Sequence, residues 1–213
     1  MSKLQPRFLT DTWTTATWAE YLQAIEDPIC DRAKGYYYNG HMRLEMLPVG
    51  SDHARDHSLI LFAVNLFATL KGIPLNARDN CTYRKAGLQE CQPDLSYYIG
   101  DRSQIIPWGV SIIDLNQYPP PDLVIEIAKT TLLDDQGAKR LLYENLQVQE
   151  YWIVDVEQAQ ILAFEIIERG SRQIDTSQVL PGLQIAGLEE ALHRSRSVDQ
   201  AQVGAWLITQ FQP

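Results

Sequence analysis

The stretch Pro121-Asp122-Leu123-Val124-Ile125-Glu126-Ile127 sets two acids into a segment whose other residues suit a dry strand. Side chains alternate faces along a strand, so Asp122, Val124 and Glu126 share one face while Leu123, Ile125 and Ile127 share the other. A carboxylate among Val and Ile is costly to desolvate and calls for a cation, a hydrogen-bond network or an open cleft beside it. A divalent metal is the cation with chemical consequences; a half-exposed strand face or an Arg partner is the plainer alternative.

A second strand-like run, Pro93-Asp94-Leu95-Ser96-Tyr97-Tyr98-Ile99, opens with the same Pro-Asp-Leu triplet, and Pro is tolerated at a strand's first residue. If the two strands pair, Asp94 and Glu126 meet on one face, because neighbouring strands lie about 4.8 Å apart. Asp122 is a candidate at a disadvantage, since its offset from Glu126 corresponds to roughly 13 Å of strand. Asp134 to Leu146 reads as an amphipathic helix with acids in its first turn and Ala138, Leu141, Leu142 and Leu146 as its apolar stripe. Lys139 lies beside that stripe, where its stem can pack while its amine reaches outward or back towards Glu126. Gln149 to Asp155 and Gln160 to Ile167 then read as two strands joined by a short turn. A strand, a crossover helix, a strand and a hairpin partner give an α/β (α+β) fold, a mixed β-sheet flanked by helices.

These residues resemble the bacterial Uma-two family of endonucleases, part of the restriction-endonuclease-like superfamily named for a Pro-Asp…(Asp/Glu)-x-Lys signature. The likeness rests on Pro93-Asp94, the run from Pro121 to Glu126, Lys139 with Tyr143, and Glu150-Tyr151-Trp152-Ile153-Val154-Asp155. It extends upstream to Gly40–Met46 and His57, and so covers about residues 36 to 170. The resemblance implies Asp94 and Glu126 as metal-binding carboxylates, Glu45 as a further acid and metal ligand, and Lys139 as the catalytic amine. One position departs from the signature: two residues after Glu126 stands Ala128, and Lys129 would face away from the acid. The resemblance therefore implies that the amine has moved to the helix, at Lys139. If that amine does not reach the acids, the site binds metal without cutting.

The chemistry can be stated from first principles. Phosphodiester cleavage needs an activated water, a neutralised phosphorane-like transition state and a stabilised leaving alkoxide. Mg²⁺ (or Mn²⁺) on carboxylates serves all three needs, and a nearby lysine adds positive charge. The family resemblance makes DNA the expected substrate, and a homodimer, plausible on family grounds, would suit cleavage of two strands.

Composition bounds these expectations. The chain has 213 residues, 45% of them hydrophobic, with five Trp and ten Tyr, which fits one folded domain spanning 1–213 with a C-terminal extension at 171–213. No apolar run approaches a membrane span, and the start Met1-Ser2-Lys3-Leu4-Gln5-Pro6-Arg7 lacks the apolar region of a secretion signal, so a cytoplasmic protein without membrane association is expected. Cys30, Cys81 and Cys91 lack zinc-site or disulfide spacing and read as free thiols. The net charge of −9 argues against a protein that grips nucleic acid through a broadly basic surface. Arg78, Arg84-Lys85, Arg102 and Lys139-Arg140 cluster mid-chain and would have to supply a local patch, or else are scattered solvated charge.

Elsewhere the sequence reads as scaffold. A helix from Trp18 with Thr15 or Thr17 as cap, a hairpin turning at Asn39-Gly40, and a long helix from His57 through Leu70, with Ser51 as a candidate cap and its end near Gly72, precede the acid-bearing strands. His57 on that long helix is placed to contact phosphate or metal-bound water, or to serve as a hydrogen-bonded structural group. Ser103 to Pro121 resembles a loop or flap. Two other functions compete with the endonuclease: a catalytically inactive nuclease-fold protein that binds protein or nucleic acid, and a metal hydrolase using His53 and His57, which stand one helical turn apart.

Overall fold

The computed structural model describes residues 9–30, 32–46, 49–168 and 170–212. The start Met1 to Arg7 and Leu47, the last residue of the expected hairpin, lie outside them. Contacts divide the chain into two compact units, one of residues 1–49, 82–92 and 111–119, the other of residues 50–81, 93–110 and 120–213.

The chain begins with β1 (Thr14–Thr15), α1 (Trp18–Ile25), β2 (Lys34–Tyr38) and β3 (His41–Glu45). It continues through α2 (Ser51–Lys71), β4 (Leu75–Asp79), β5 (Thr82–Lys85), β6 (Gln89–Cys91), β7 (Leu95–Ile99) and β8 (Ile112–Asp114). After β9 (Leu123–Ala128) comes a helical run of α3 (Leu132–Asp134), a π-helical segment (Asp135–Lys139) and α4 (Arg140–Leu146). β10 (Glu150–Asp155), β11 (Gln160–Ile167), β12 (Gly170–Gln173), α5 (Ile185–Ser195) and α6 (Gln200–Phe211) complete it. The mixed sheet expected from the sequence is realised twice, once in each unit.

The first unit holds a six-stranded sheet of order β1-β3-β2-β6-β5-β8, antiparallel except for the parallel β5/β8 pair. Its β2/β3 hairpin turns at Asn39 (φ 48°) and Gly40 (φ 73°), the pair of positive angles that a two-residue turn matched to strand twist demands. Thr17 caps α1 in a reciprocal box with Glu20, satisfying backbone donors at the helix start. Tyr21, fully buried, donates to Glu90 at 2.7 Å.

The second unit carries the acid-bearing strands. Its sheet has order β12-β11-β10-β9-β7-β4, with the β9/β10 pair parallel across the helical crossover and every other pair antiparallel. Leu123, Ile125 and Ile127 face a core shared with Leu59, Ile60 and Val64 of α2 and with Leu188 and Leu207 of α5 and α6. Each such large buried apolar side chain contributes about 1.5–3 kcal/mol. The opposite face, bearing Val124 and Glu126, is covered by the helical run at 132–146. In that run the π-helical segment accommodates an extra residue per turn and rotates the buried stripe. Asp135, Lys139, Leu142, Tyr143 and Leu146 point inward, while Leu141, expected in the stripe, is exposed.

Helix α2 starts at Ser51 with Gly50 as its N-cap, so His53 and His57 both belong to it. It stops at Gly72, whose left-handed φ of 66° lets the chain turn away after the last carbonyls. Among the described residues no helix is long and apolar enough to cross a membrane, and Cys30, Cys81 and Cys91 are free.

Candidate active site

Strands β7 and β9 pair antiparallel with Leu95 opposite Ile125 and Ser96 opposite Val124. One further step of this register sets Asp94, the residue just before β7, across from Glu126. The Asp94 carboxylate closes the end of the pair by accepting the backbone N–H of Ile127 at 2.7 Å. The same oxygen stands 3.3 Å from His53 Nε2. On the next turn of α2, His57 Nε2 lies 3.3 Å from Asp79 at the end of β4. His53, His57 and Asp94 each offer a ligand atom within 4.8 Å of the others, the one such group among the described residues, and Glu126 is outside it.

This donor set fits a metal ion. Donors on one tetrahedral ion with bonds of about 2.1 Å stand roughly 3.4 Å apart, so side-chain rotations would bring all three within reach of one ion. The His53 and His57 side chains are 12% and 13% exposed, which leaves a path for an ion and its waters. His53 Nδ1 is buried without a hydrogen-bond partner, so this imidazole is not locked into a purely structural network. Tyr97 Oη is also a buried, unpartnered polar atom. Burial, and then the charge of Asp79, push the Tyr97 phenol far above its usual range, so it remains a neutral hydroxyl.

Glu126 has different company. Its Oε1 accepts from Tyr143 Oη at 2.6 Å, and its Oε2 lies 3.5 Å from Lys139 Nζ. Lys139 Nζ is also 2.9 Å from Asp135 Oδ1, and Thr131 donates to the other oxygen of Asp135 at 2.6 Å. Glu126, Lys139 and Asp135 are 2%, 1% and 0% exposed, so the ammonium turns inward rather than reaching out to water. Lys129 faces away from these acids and pairs with Asp52 of α2.

Asp122 and Glu45 have partners of their own. Asp122 accepts the backbone N–H of Ile99 at 2.8 Å, pairs with Arg102 at 2.5 Å and takes a hydrogen bond from Gln149, which ties together the far ends of three strands. Glu45 ends β3 in the first unit and accepts from Arg43 Nε at 2.9 Å. The expected mid-chain basic patch is largely spent on internal pairing: Arg84 with Glu90, Arg102 with Asp122, and Lys139 with Asp135 and Glu126. Arg78 instead lies over the Tyr98 ring at 5.0 Å. Asp135 was legible only as a helix-start acid; it pairs with Lys139 one turn on, within the π-helical segment.

The family model described as "Putative restriction endonuclease", Uma2, matches residues 18–201. The chain belongs to the Uma2 family. That match takes in both acid-bearing strands, both histidines of α2 and Lys139. A crystal structure described as that of "a putative nuclease" from Anabaena variabilis is similar in fold, with a TM-score of 0.58 at 18% identity, covering 83% of this chain and 98% of the other. No curated protein matches the chain.

Proposed function

We propose that this Uma2 protein is a metal-dependent endonuclease that hydrolyses phosphodiester bonds, in DNA, acting in the cytoplasm as a homodimer. The observation that carries this is the shared position of Asp94: one carboxylate at a strand end, facing two imidazoles of α2 and set by register across from Glu126, beside which Lys139 holds its ammonium 3.5 Å away.

Asp94, His53 and His57 would hold the ion. Imidazole suits Mn²⁺ and other first-row ions better than Mg²⁺, which prefers an all-oxygen shell, so we propose Mn²⁺ ahead of Mg²⁺. A bound divalent ion supplies Lewis-acid polarisation of the phosphate and a more acidic water. Hydrolysis adds the water oxygen to phosphorus and breaks the bond to the leaving oxygen; the water gives up a proton and the alkoxide takes one. Glu126 offers an acceptor on that path. Tyr143 fixes its orientation, and Lys139 pairs with it while adding positive charge where phosphate charge builds. Asp135 restrains Lys139 in turn.

Titration calorimetry with Mn²⁺ and incubation with supercoiled plasmid test this together. Wild type should bind Mn²⁺ and nick the plasmid, Asp94→Ala should lose both, and Lys139→Ala should keep Mn²⁺ binding while losing nicking. Undiminished nicking by Asp94→Ala would overturn the assignment.

The burial of Lys139, Asp135 and Glu126 favours one competing function, a nuclease-fold module that binds without cutting, because a self-neutralised cluster presents no cation to a phosphate. Fluorescence anisotropy of labelled DNA that shows binding, with no nicking in Mn²⁺ or Mg²⁺, would select it.

A further inference from the structure

A cavity of about 720 Å³ lies between β4 and the loop at 104–110, lined by Asn76, Arg78, Gln104, Pro107, Trp108 and Gly109 among others. We propose that it is a subsite for one unstacked nucleotide of the substrate strand, with Arg78 on its phosphate and the Trp108 indole against its base. The proposal rests on the nuclease function above and adds a place where the strand is held.

Three observations converge on it. Trp108 is 104% exposed, the most solvent-presented large apolar side chain described, and Gly109, at a φ of 90°, supplies the reversal beside it. A tryptophan held fully in water is costly unless something stacks on it, and every nucleobase offers a face. The loop beneath it is anchored: Asn76 Nδ2 donates to the Ser103 carbonyl at 2.7 Å, and Ser103 N and Ile105 N close successive turns onto Gly100 and Arg102.

The second observation is Arg78 Nη1, a buried donor with no hydrogen-bond partner. No acid among the described residues pairs with this side chain; its guanidinium rests on Tyr98 instead, and the residue lines the cavity. A buried guanidinium donor without an acceptor is expensive, and a phosphate oxygen is the acceptor that suits it best.

The third is register. Arg78 stands opposite Ser96 on β7, and Ser96 opposite Val124 on β9, so Arg78 shares a sheet face with Val124 and Glu126. Two strand spacings and one two-residue step separate Arg78 from Glu126, roughly 12 Å, within reach of a single strand that passes both. With a net charge of −9, a grip made of stacking and one guanidinium is also better suited to this chain than a broad phosphate-binding surface. The volume falls in the range of small-ligand sites, which fits one nucleotide and excludes a duplex.

The test is a fluorescence titration of the full chain, in EDTA so that nothing is cut, with single-stranded and duplex 12-mers. Tryptophan emission should be quenched by the single strand, and Trp108→Phe should remove most of that quenching. Trp108→Ala should weaken binding about tenfold, and Arg78→Met should weaken it while making the salt dependence shallower by about one ion. Trp108 is wholly exposed, so its variants should keep the wild-type near-ultraviolet circular dichroism. Equal quenching in Trp108→Phe, or unchanged affinity in both Trp108→Ala and Arg78→Met, overturns the subsite. If the wild type still nicks plasmid in that case, the nuclease function stands without it; if wild type neither binds nor nicks any nucleic acid, both fall.

Discussion

Two strand ends in this molecule are built from the same triplet and come out differently. Pro93-Asp94-Leu95 opens β7 and Pro121-Asp122-Leu123 opens β9, and because these strands run antiparallel each Asp sits near the other strand's far end. Both carboxylates do the same local work: Asp94 accepts the N–H of Ile127 at 2.7 Å and Asp122 that of Ile99 at 2.8 Å. The difference lies in what arrives from outside the strand pair. Asp122 meets Arg102, a permanent cation that neutralises it and removes any reason to recruit another. Asp94 meets His53, with His57 on the next turn, and a carboxylate beside two imidazoles is a set of side chains that a metal ion can hold together. The motif makes the strand end; the neighbour decides whether that end is a brace or a binding site.

The comparison can be broken most sharply by metal. Asp94→Ala should cut Mn²⁺ affinity by roughly 100-fold or more, whereas Asp122→Ala should leave it unchanged within error in the same calorimeter. Equal losses in both would mean that the two ends are not distinct. Next in size is Lys139→Met, which strands Glu126 and Asp135 as buried acids without their cation. Its urea midpoint should correspond to a loss of about 3–5 kcal/mol, and adding Asp135→Asn should restore part of it. Asp122→Ala should cost about 1–3 kcal/mol, chiefly through the orphaned Ile99 N–H, with cleavage per folded molecule preserved. The smallest effect belongs to Arg102→Gln. The Arg102 side chain is 31% exposed, so solvent screens the pair, and the change should cost under about 1 kcal/mol. A new Mn²⁺ affinity at Asp122 in that variant would show that the guanidinium alone was keeping it closed.

How far the sequence reveals this depends on the element. The strands from Leu123 to Ile167 are legible because long apolar runs with little helical spacing leave few alternatives, and Asn39-Gly40 announces its turn through the angles it must adopt. The equal Pro-Asp-Leu starts even point to the pairing of Asp94 with Glu126. The short strands β5 and β6, Thr-Tyr-Arg-Lys and Gln-Glu-Cys, carry too little pattern to announce a second sheet. Helix α2 hides its first turns for a related reason: Ser51 to His57 is polar, so the apolar period begins only beyond the two histidines. That concealed His53 as the partner of Asp94. Asp135 was obscured by a different cause, since an acid near a helix start satisfies a local electrostatic preference and needs no further explanation until a π-helical segment turns it inward.

The threading of the chain between its units also has a consequence for synthesis. Residues 1–49 supply β1, β2 and β3, yet β2's neighbour β6 is made only after α2 and β4, and β4 in turn waits for β7. A chain emerging from a ribosome in order therefore holds unfinished sheet edges for much of its length, and such late, long-range pairing is slow and prone to sticking. For this protein, the rate of translation is itself a variable that should set how much folded protein a cell recovers.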